Sequence, residues 1–305
     1  MVTRMGGVGL HVKDLGRSVD FLSTVLGLEV SERSGNRAYL TSNTRHHEVT
    51  LIQSGARGYD HVGLLVADRE ALESAERALR AAGAQIAGYE DEPGVERALR
   101  VVVSGGHVLK LVCGMEERGA LPDDPDRPVK FEHASLNARD MGGVESVLEQ
   151  VLGFGLSDRV GSLLSWWHCD ADHHGVALTR YPRNGLHHYA WTFADVSAVS
   201  RMADRAGAAG HPLAYGLGRH GPGNNHYAYF RDADGFIIEC CSELAQLGPG
   251  STYELGRKWT FGQTNLWGPK APLSFIRAGQ PIAPSAGVPH TSSRPSGRSA
   301  SPSPR

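Results

Sequence analysis

The chain has 305 residues, of which 40% are hydrophobic and 21% are charged, and its formal net charge is −2. This composition is typical of a globular protein of one or two domains, and it argues against nucleic acid or an anionic membrane as a partner. No apolar run approaches the roughly 18 residues of a membrane-spanning helix, and the four cysteines form no recognisable disulfide framework, which favours a reducing cytoplasm.

The first elements along the chain are strand–helix units. In "LGRSVDFLSTVLGL" (15–28), apolar residues recur at helical spacing, and Gly27 follows at the position of a helix C-cap. "ADREALESAERALRAAGA" (67–84) has the same form, with Leu72, Ala75 and Leu79 on one stripe. A short strand precedes each helix, so the sequence predicts units of about 55 residues that begin with a strand and a helix.

The second half of the chain repeats the first. "VKDLGRSVDFLSTVLGLEVSER" at 12–33 aligns with "ARDMGGVESVLEQVLGFGLSDR" at 138–159, an offset of 126. "DHVGLLVAD" at 60–68 aligns with "HHYAWTFAD" at 187–195, and "GGHVLKLVCG" at 105–114 with "DGFIIECCSE" at 234–243. These matches predict two homologous halves with an α+β fold, built from four βαβββ modules. Each half is expected to form a curved mixed sheet around a cavity.

Composition divides the chain further. We expect a first domain at 1–120, a proline- and aspartate-rich linker at 121–130, a second domain at 131–245 and an extension at 246–281. Residues 282–305 are rich in Pro, Ser, Gly and Arg and nearly lack large apolar residues. Such a segment buries too little surface to offset the entropy of ordering, so we predict a disordered tail.

Strand alternation predicts which side chains share a face. In "FEHASLNA", the pattern places Phe131, His133, Ser135 and Asn137 on one face. In "HHYAWTF", it places His188 among small residues on the concave face. The opposite, helix-covered face is expected to carry four residues: His187, Tyr189, Trp191 and Phe193.

Equivalent positions of the two halves suggest a metal site in the second. Gly7 corresponds to His133, His61 to His188, and Lys110 to Glu239. Two imidazoles and one carboxylate with open positions form the facial triad of non-haem Fe(II) oxygenases. The first half cannot build this site, because glycine offers no ligand and lysine brings a repelling charge.

A structural interpretation competes for each of these residues. A lone histidine on a strand is more often a hydrogen-bonded core or surface residue than a ligand. Glu239 lies between Ile238 and Cys240, and an unpaired carboxylate there would be costly to bury, so it needs a metal or an arginine partner. Cys241 shares the face of Glu239 and is not excluded as a thiolate ligand, but a small buried apolar role is the simpler interpretation.

These residues resemble the type I extradiol catechol dioxygenases of the vicinal oxygen chelate superfamily, over roughly residues 5–270. The most specific match is "GLGRHGPGNNHYAYFRDADGFIIEC", where His220 is followed by Tyr229 nine residues on and Glu239 nineteen residues on. "HHGVAL", "LHHYAW" and the lid-like "TNLWGPKAP" at 264–272 are also similar to segments of the family. The resemblance therefore implies vicinal-oxygen-chelate domains, with the metal site degenerate in the first and a lid in the extension.

The resemblance also implies residue roles. The iron ligands would be His133, His188 and Glu239, with Fe(II) as the cofactor and Mn(II) as a possible substitute. His174 would be the acid–base residue, although one residue is missing from the following turn and the spacing alone would favour His173. Tyr229 would donate a hydrogen bond to a substrate oxygen, and His220 would orient either the substrate or Tyr229. The expected partners are a catechol-type small molecule, O2 and further copies of the chain, with neither nucleic acid nor membrane.

One difference between this sequence and the family concerns the residues expected to bind the substrate. Homoprotocatechuate-type members carry arginine shortly before the aromatic–glycine pair of the lid, where this chain has Gln263, Thr264 and Asn265. A substrate carboxylate would lose its bidentate partner, so we expect a less acidic catechol, alkyl- or aryl-substituted.

The sequence thus predicts an extradiol dioxygenase that inserts both atoms of O2 into a catechol. Two other functions stay open: a metal-dependent isomerase or lyase of the same superfamily, and a protein that sequesters a ligand without chemistry. The complete ligand set, together with His174, Tyr229 and His220, favours the dioxygenase.

Overall fold

The computed structural model describes residues 1–284 and 286, and most of the elements are strands. The predicted tail at 282–305 lies almost wholly outside the described residues. Of its first residues, Ile282 bridges to Tyr59, and the Ala283 amide donates to the Tyr59 carbonyl at 2.8 Å. No helix in the described part of the chain is long and apolar enough to span a bilayer.

The first half forms an eight-stranded mixed sheet in the order β2-β3-β4-β1-β5-β8-β7-β6. Its strands are β1 Val2–Val12, β2 Glu29–Ser34, β3 Arg37–Thr41, β4 Val49–Gln53, β5 Gly58–Val66, β6 Gln85–Glu90, β7 Val95–Val102 and β8 Val108–Met115. β1 pairs parallel with β4 and antiparallel with β5, and β5 pairs parallel with β8.

The second half repeats this order as β10-β11-β12-β9-β13-β16-β15-β14 and adds three short strands, for eleven in all. The strands are β9 Lys130–Ala138, β10 Gly155–Val160, β11 Leu164–His168, β12 Val176–Arg180, β13 Gly185–Thr192, β14 Tyr215–His220, β15 His226–Arg231, β16 Ile237–Ser242, β17 Arg257–Lys258, β18 Asn265–Trp267 and β19 Gln280–Pro281. The predicted α+β fold of four βαβββ modules in two domains is therefore confirmed.

One helix covers the sheet in each module, and a fifth lies in the extension. The helices are α1 Leu15–Phe21, α2 Arg69–Ala81, α3 Met141–Ser146, α4 Val196–Ala208 and α5 Leu273–Ile276. Each module helix begins after an aspartate whose carboxylate accepts a hydrogen bond from the amide three residues on: Asp14, Asp68, Asp140 and Asp195. α1 continues as a π-helical turn, Leu22–Leu26, that ends at Gly27 with φ of 89°, a conformation that favours glycine.

The extension is attached to the second sheet along its length. β17 pairs with β10, β18 pairs with β14 at one edge, and β19 pairs with β13 in the middle of the sheet. α5 packs Phe275 against Tyr215 and Tyr229, with ring centroids 4.7 Å apart in both cases. The extension is therefore positioned to form part of whatever site the concave face of this sheet carries.

Candidate metal centre and active site

Three neighbouring strands at the centre of the second sheet bring the candidate ligands together. His133 lies on β9, His188 on β13 and Glu239 on β16, and all three side chains are buried. In the described part of the chain they are the one group of three histidine, cysteine or acidic side chains close enough to hold a metal ion.

The ligand atoms form a small triangle. His133 Nε2 and His188 Nε2 are each 3.1 Å from Glu239 Oε2, and the two nitrogens are 3.2 Å apart. Ligands about 2.1 Å from a metal and about 90° apart are separated by about 3.0 Å. The triangle therefore fits three ligands on one face of an octahedron and leaves the opposite face for other molecules.

The electrostatics of the triad also suit a cation. Burial by itself would lower the pKa of His133, but the charge of Glu239 and hydrogen bonds to Glu132 and Glu239 outweigh it and raise that pKa to about 9. Burial would raise the pKa of Glu239, yet His133 and His188 hold it well below its usual range. The carboxylate thus attracts positive charge, and a metal ion would supply more of it than a proton does.

His174 adjoins the triad, with its ring centroid 4.3 Å from that of His133. Its Nδ1 is 3.0 Å from Nδ1 of His173, whose Nε2 is 3.1 Å from Asp158 Oδ2. Because a carboxylate only accepts, His173 donates through Nε2 and accepts from the Nδ1–H of His174. Nε2 of His174 therefore keeps its lone pair. Burial, and then the charge of His133, holds the pKa of His174 well below its ordinary value.

Tyr229 and His220 form a second pair at the cavity. His220 Nδ1 is 3.0 Å from Asn265 Oδ1, so this nitrogen donates, and His220 Nε2 accepts the Tyr229 hydroxyl at 2.9 Å. The His220 ring stacks on Tyr227 with centroids 3.9 Å apart. The Tyr229 hydroxyl is therefore directed at His220, the contact expected under one of the two alternatives that the sequence left open.

These groups open into a cavity of about 200 Å³. Its remaining wall is largely apolar and includes Leu164, Trp166, Ala177, Leu178, Phe261, Ala271, Phe275 and Ile276. Thr264 and Asn265 also line it, whereas Gln263 hydrogen bonds back to Thr260. Among the described residues that line the cavity there is neither lysine nor arginine.

Sequence reasoning missed several residues that support the site. Glu132 accepts hydrogen bonds from His133 Nδ1 at 3.1 Å, from the Thr192 hydroxyl at 2.6 Å and from the Cys241 thiol at 2.9 Å. Burial and then Glu132 raise the pKa of Cys241 well above its ordinary value, so it is a protonated thiol rather than a thiolate. Glu132 could have been identified from the sequence because it is a carboxylate directly before the candidate ligand His133.

Strand alternation was wrong for two residues, in both cases at a register shift between β9 and β13. Phe131 does not share the face of His133 but packs on Trp191 in the core, beside a shift between Tyr189 and Trp191. His187 does not lie on the helix-covered face but lines the cavity next to His188, beside a shift that follows Leu186. The extra residue of a β-bulge changes which face the following side chains occupy.

In the first half, the residues at the positions of the three candidate ligands make other contacts. Gly7 has φ of 142°, and a Cβ there would lie 2.0 Å from the Glu48 carbonyl oxygen, so no side chain fits. Lys110 Nζ is 2.6 Å from each carboxylate oxygen of Glu92, and His61 Nδ1 is 2.7 Å from Asp60. A lysine ammonium therefore occupies the region where the second half gathers metal ligands.

Comparison with known proteins identifies relatives that match between about half and most of the chain. Metapyrocatechase 2 of Cupriavidus necator is 30% identical over 152 residues, a match that spans about half of each protein, 49% of this chain and 48% of the relative. Biphenyl-2,3-diol 1,2-dioxygenase of Pseudomonas sp. (strain KKS102) is 24% identical over 294 residues, 88% of this chain and 98% of the relative.

Solved structures show the same fold. Homoprotocatechuate 2,3-dioxygenase from Arthrobacter globiformis superposes with a TM-score of 0.83 at 23% identity, covering 95% of both chains. The Mn(II)-bound glyoxalase from Novosphingobium aromaticivorans gives 0.81 at 25% identity, covering 97% of this chain and 96% of the other. The model of the Glyoxalase/Bleomycin resistance protein/Dioxygenase superfamily matches residues 4–98 and 130–240. Since these segments make up most of the chain and contain all three candidate ligands, the protein belongs to that superfamily.

Proposed function

We propose that the protein is an extradiol ring-cleaving dioxygenase, which inserts both atoms of O2 into a catechol and opens the ring beside the two hydroxyl groups. The observation that carries this proposal is the buried triangle of His133, His188 and Glu239, with His174 and Tyr229 at its open side. The named activities of the two sequence relatives support it.

Fe(II) is the cofactor that this chemistry calls for, with Mn(II) as an alternative because both prefer similar nitrogen and oxygen ligands. The three triad side chains would hold the ion. When bound, it would bring a catechol and O2 together and lower the pKa of a catechol hydroxyl. The chain's own residues supply binding, orientation and proton transfer.

His174 is the proposed acid–base residue. Its Nε2 lone pair is fixed by the hydrogen bonds through His173 to Asp158, so it is ready to accept a catechol proton without a change of tautomer. Tyr229 is the proposed donor to a substrate oxygen: its single hydroxyl hydrogen, which His220 Nε2 accepts in this structure, would turn to the substrate when a catechol binds. Burial keeps these groups out of bulk water, which strengthens each of these interactions.

The cavity wall supports an alkyl- or aryl-substituted catechol as the substrate. Apolar side chains line most of the wall, and no described lysine or arginine is available to pair with a substrate carboxylate. We further propose a lid role for the extension, since Phe261, Phe275 and Ile276 form part of this wall. The free thiols of all four cysteines support a cytoplasmic location. A homo-oligomer is proposed from the family resemblance alone.

The test is O2 uptake by protein loaded anaerobically with Fe(II), using catechol, 3-methylcatechol, 3-phenylcatechol and homoprotocatechuate. We expect equimolar O2 loss and a yellow, pH-sensitive product, with homoprotocatechuate the slowest substrate. Glu239→Gln should lose metal, and His174→Ala should bind metal and catechol but turn over far more slowly. Metal-loaded protein that consumes no O2 with any catechol would instead favour an isomerase, the alternative that the structural likeness to a glyoxalase keeps open.

A further inference from the structure

His187 makes a contact that the proposed mechanism does not use. Its ring Nδ1 is 2.7 Å from Nδ1 of the neighbouring ligand His188, and its Nε2 is 3.0 Å from the backbone carbonyl of Phe275 in α5. Both rings are buried. A continuous chain of hydrogen bonds therefore runs from the triad to the extension that lines the cavity.

The groups at the two ends of this series of hydrogen bonds determine which atom donates in each bond. His188 Nε2 faces Glu239 and needs its lone pair to bind a metal, so Nδ1 carries the hydrogen. At the other end, the Phe275 carbonyl can only accept. His188 therefore donates to His187 Nδ1, and His187 donates through Nε2 to Phe275. Every donor in the chain then has one acceptor, with His187 neutral.

The equivalent position in the first half carries a different residue, which also contacts the histidine that follows it. Asp60 takes the place of His187 in the first half, with its Oδ2 2.7 Å from His61 Nδ1 and 2.8 Å from the guanidinium of Arg100. The inner histidine thus has a partner from the preceding residue in both halves. In the second half this partner also donates to the Phe275 carbonyl in the extension.

We propose that His187 is a positioning residue that holds His188 in its metal-binding tautomer and couples the metal centre to α5. Metal binding and the placement of Leu273–Ile276 over the cavity then stabilise each other. This inference rests on the proposed metal site but not on the reaction carried out there. Partners of metal-bound histidines typically change metal affinity by 10- to 100-fold when removed.

The test measures Mn(II) affinity by competition with a chromophoric chelator, together with hydrogen exchange of the amides at 275–278, which form the hydrogen bonds of α5. His187→Phe keeps an aromatic ring against Phe275 but removes both hydrogen bonds, and it should weaken Mn(II) binding about 10- to 100-fold. His187→Gln, which can still accept from His188, should recover most of the affinity. In the wild-type protein Mn(II) should slow exchange at 275–278, and His187→Phe should abolish that effect.

The matched control is His46→Phe. His46 is a buried histidine in the first half whose Nδ1 is 2.9 Å from Nδ1 of His47, and it does not touch the triad. This variant should bind Mn(II) like the wild type. Wild-type affinity and unchanged exchange protection in His187→Phe would overturn the inference. If the His187 variants do not fold, identical exchange at 275–278 in wild-type protein with and without Mn(II) would overturn it.

The outcomes separate this inference from the proposed function. Wild-type protein that does not bind Mn(II) would overturn the metal site and the role of His187 together. Wild-type protein that binds Mn(II) and shows the His187 effects, but cleaves no catechol, would leave His187 as proposed and overturn only the dioxygenase.

Discussion

Lys110 is a fully buried lysine, at the strand position that carries Glu239 in the second half. Both oxygens of the Glu92 carboxylate are 2.6 Å from its ammonium nitrogen, and His47 Nε2 is 3.4 Å from the same carboxylate. Burial would raise the pKa of Glu92, but Lys110 holds it well below the usual range. The first half therefore stabilises its buried carboxylate with a covalently attached cation.

We predict that Lys110→Met destabilises the protein, because Glu92 would remain buried without its cation. Loss of one partner of a buried pair typically costs about 3–5 kcal/mol of unfolding free energy. Urea denaturation followed by circular dichroism would measure the change. The double variant Lys110→Met/Glu92→Leu should recover much of the loss, since no charge is left behind. A single variant as stable as the wild type would show that the pair contributes little.

At the scale of single residues, comparison of equivalent positions in the two halves predicted three side chains that the structure brings together. The triad emerged because the same strand positions carry Gly7, His61 and Lys110 in one half and ligand-type residues in the other. His187 and Phe131 were misplaced because a strict two-residue alternation cannot register a β-bulge. Asp158 was missed because its partners come from the extension, far away in the sequence.

Among the elements, β10 and the extension meet at one buried carboxylate. Asp158 on β10 accepts hydrogen bonds from the Trp259 indole at 2.8 Å, the Arg257 amide at 3.1 Å and the Tyr253 hydroxyl. The same carboxylate accepts from His173, which in turn accepts from His174. The position of the extension and the tautomer of the proposed acid–base residue therefore depend on one side chain.

We predict that Asp158→Asn lowers kcat while leaving metal affinity unchanged. His173, Tyr253 and Trp259 all donate to Oδ2, and a neutral amide oxygen there would accept more weakly than a carboxylate, which weakens the bond that sets the tautomer of His173. Loss of such an orienting partner typically costs about 10- to 100-fold in activity. Steady-state kinetics and Mn(II) titration would test this expectation, with the exposed Asp204→Asn as a control. Equal losses of kcat and of metal affinity would contradict a role confined to His174.

The modules were predictable from sequence because each one encodes its own start and its own buried face. An aspartate begins each module helix, and the apolar stripe of α2 is buried at Leu72, Ala75 and Leu79. The extension could not be predicted in this way. β17, β18 and β19 contain only two or three residues each, too few to show a period, and they are strands because the second sheet offers them partners.

The two halves of the molecule are joined through polar contacts as well as a shared core. The Phe131 amide donates to the Glu48 carboxylate across the two sheets at 2.9 Å, and the Asn184 amide donates to the Gly105 carbonyl at 2.9 Å. His107 lies two residues after Gly105 and is fully buried, with its ring centroid 6.1 Å from that of Tyr59. A titratable group thus lies inside the molecule near the junction of its halves.

We predict that His107 makes the whole molecule less stable as the pH falls from about 6.5 to about 4. Burial lowers the pKa of His107 to about 4, whereas an unfolded histidine titrates near 6.5. Within that window the unfolded chain binds a proton that the folded protein excludes, so acid favours unfolding, by up to about 3 kcal/mol near pH 4. Buried His61 and His187 also have lowered pKa values and act in the same direction. The test therefore compares His107→Gln with the wild type by urea unfolding at pH 7 and pH 4.5. The variant should lose less stability between the two pH values, and His211→Gln, at a partly exposed site, should behave like the wild type. Parallel pH profiles for His107→Gln and the wild type would show that the proton of His107 is not linked to folding.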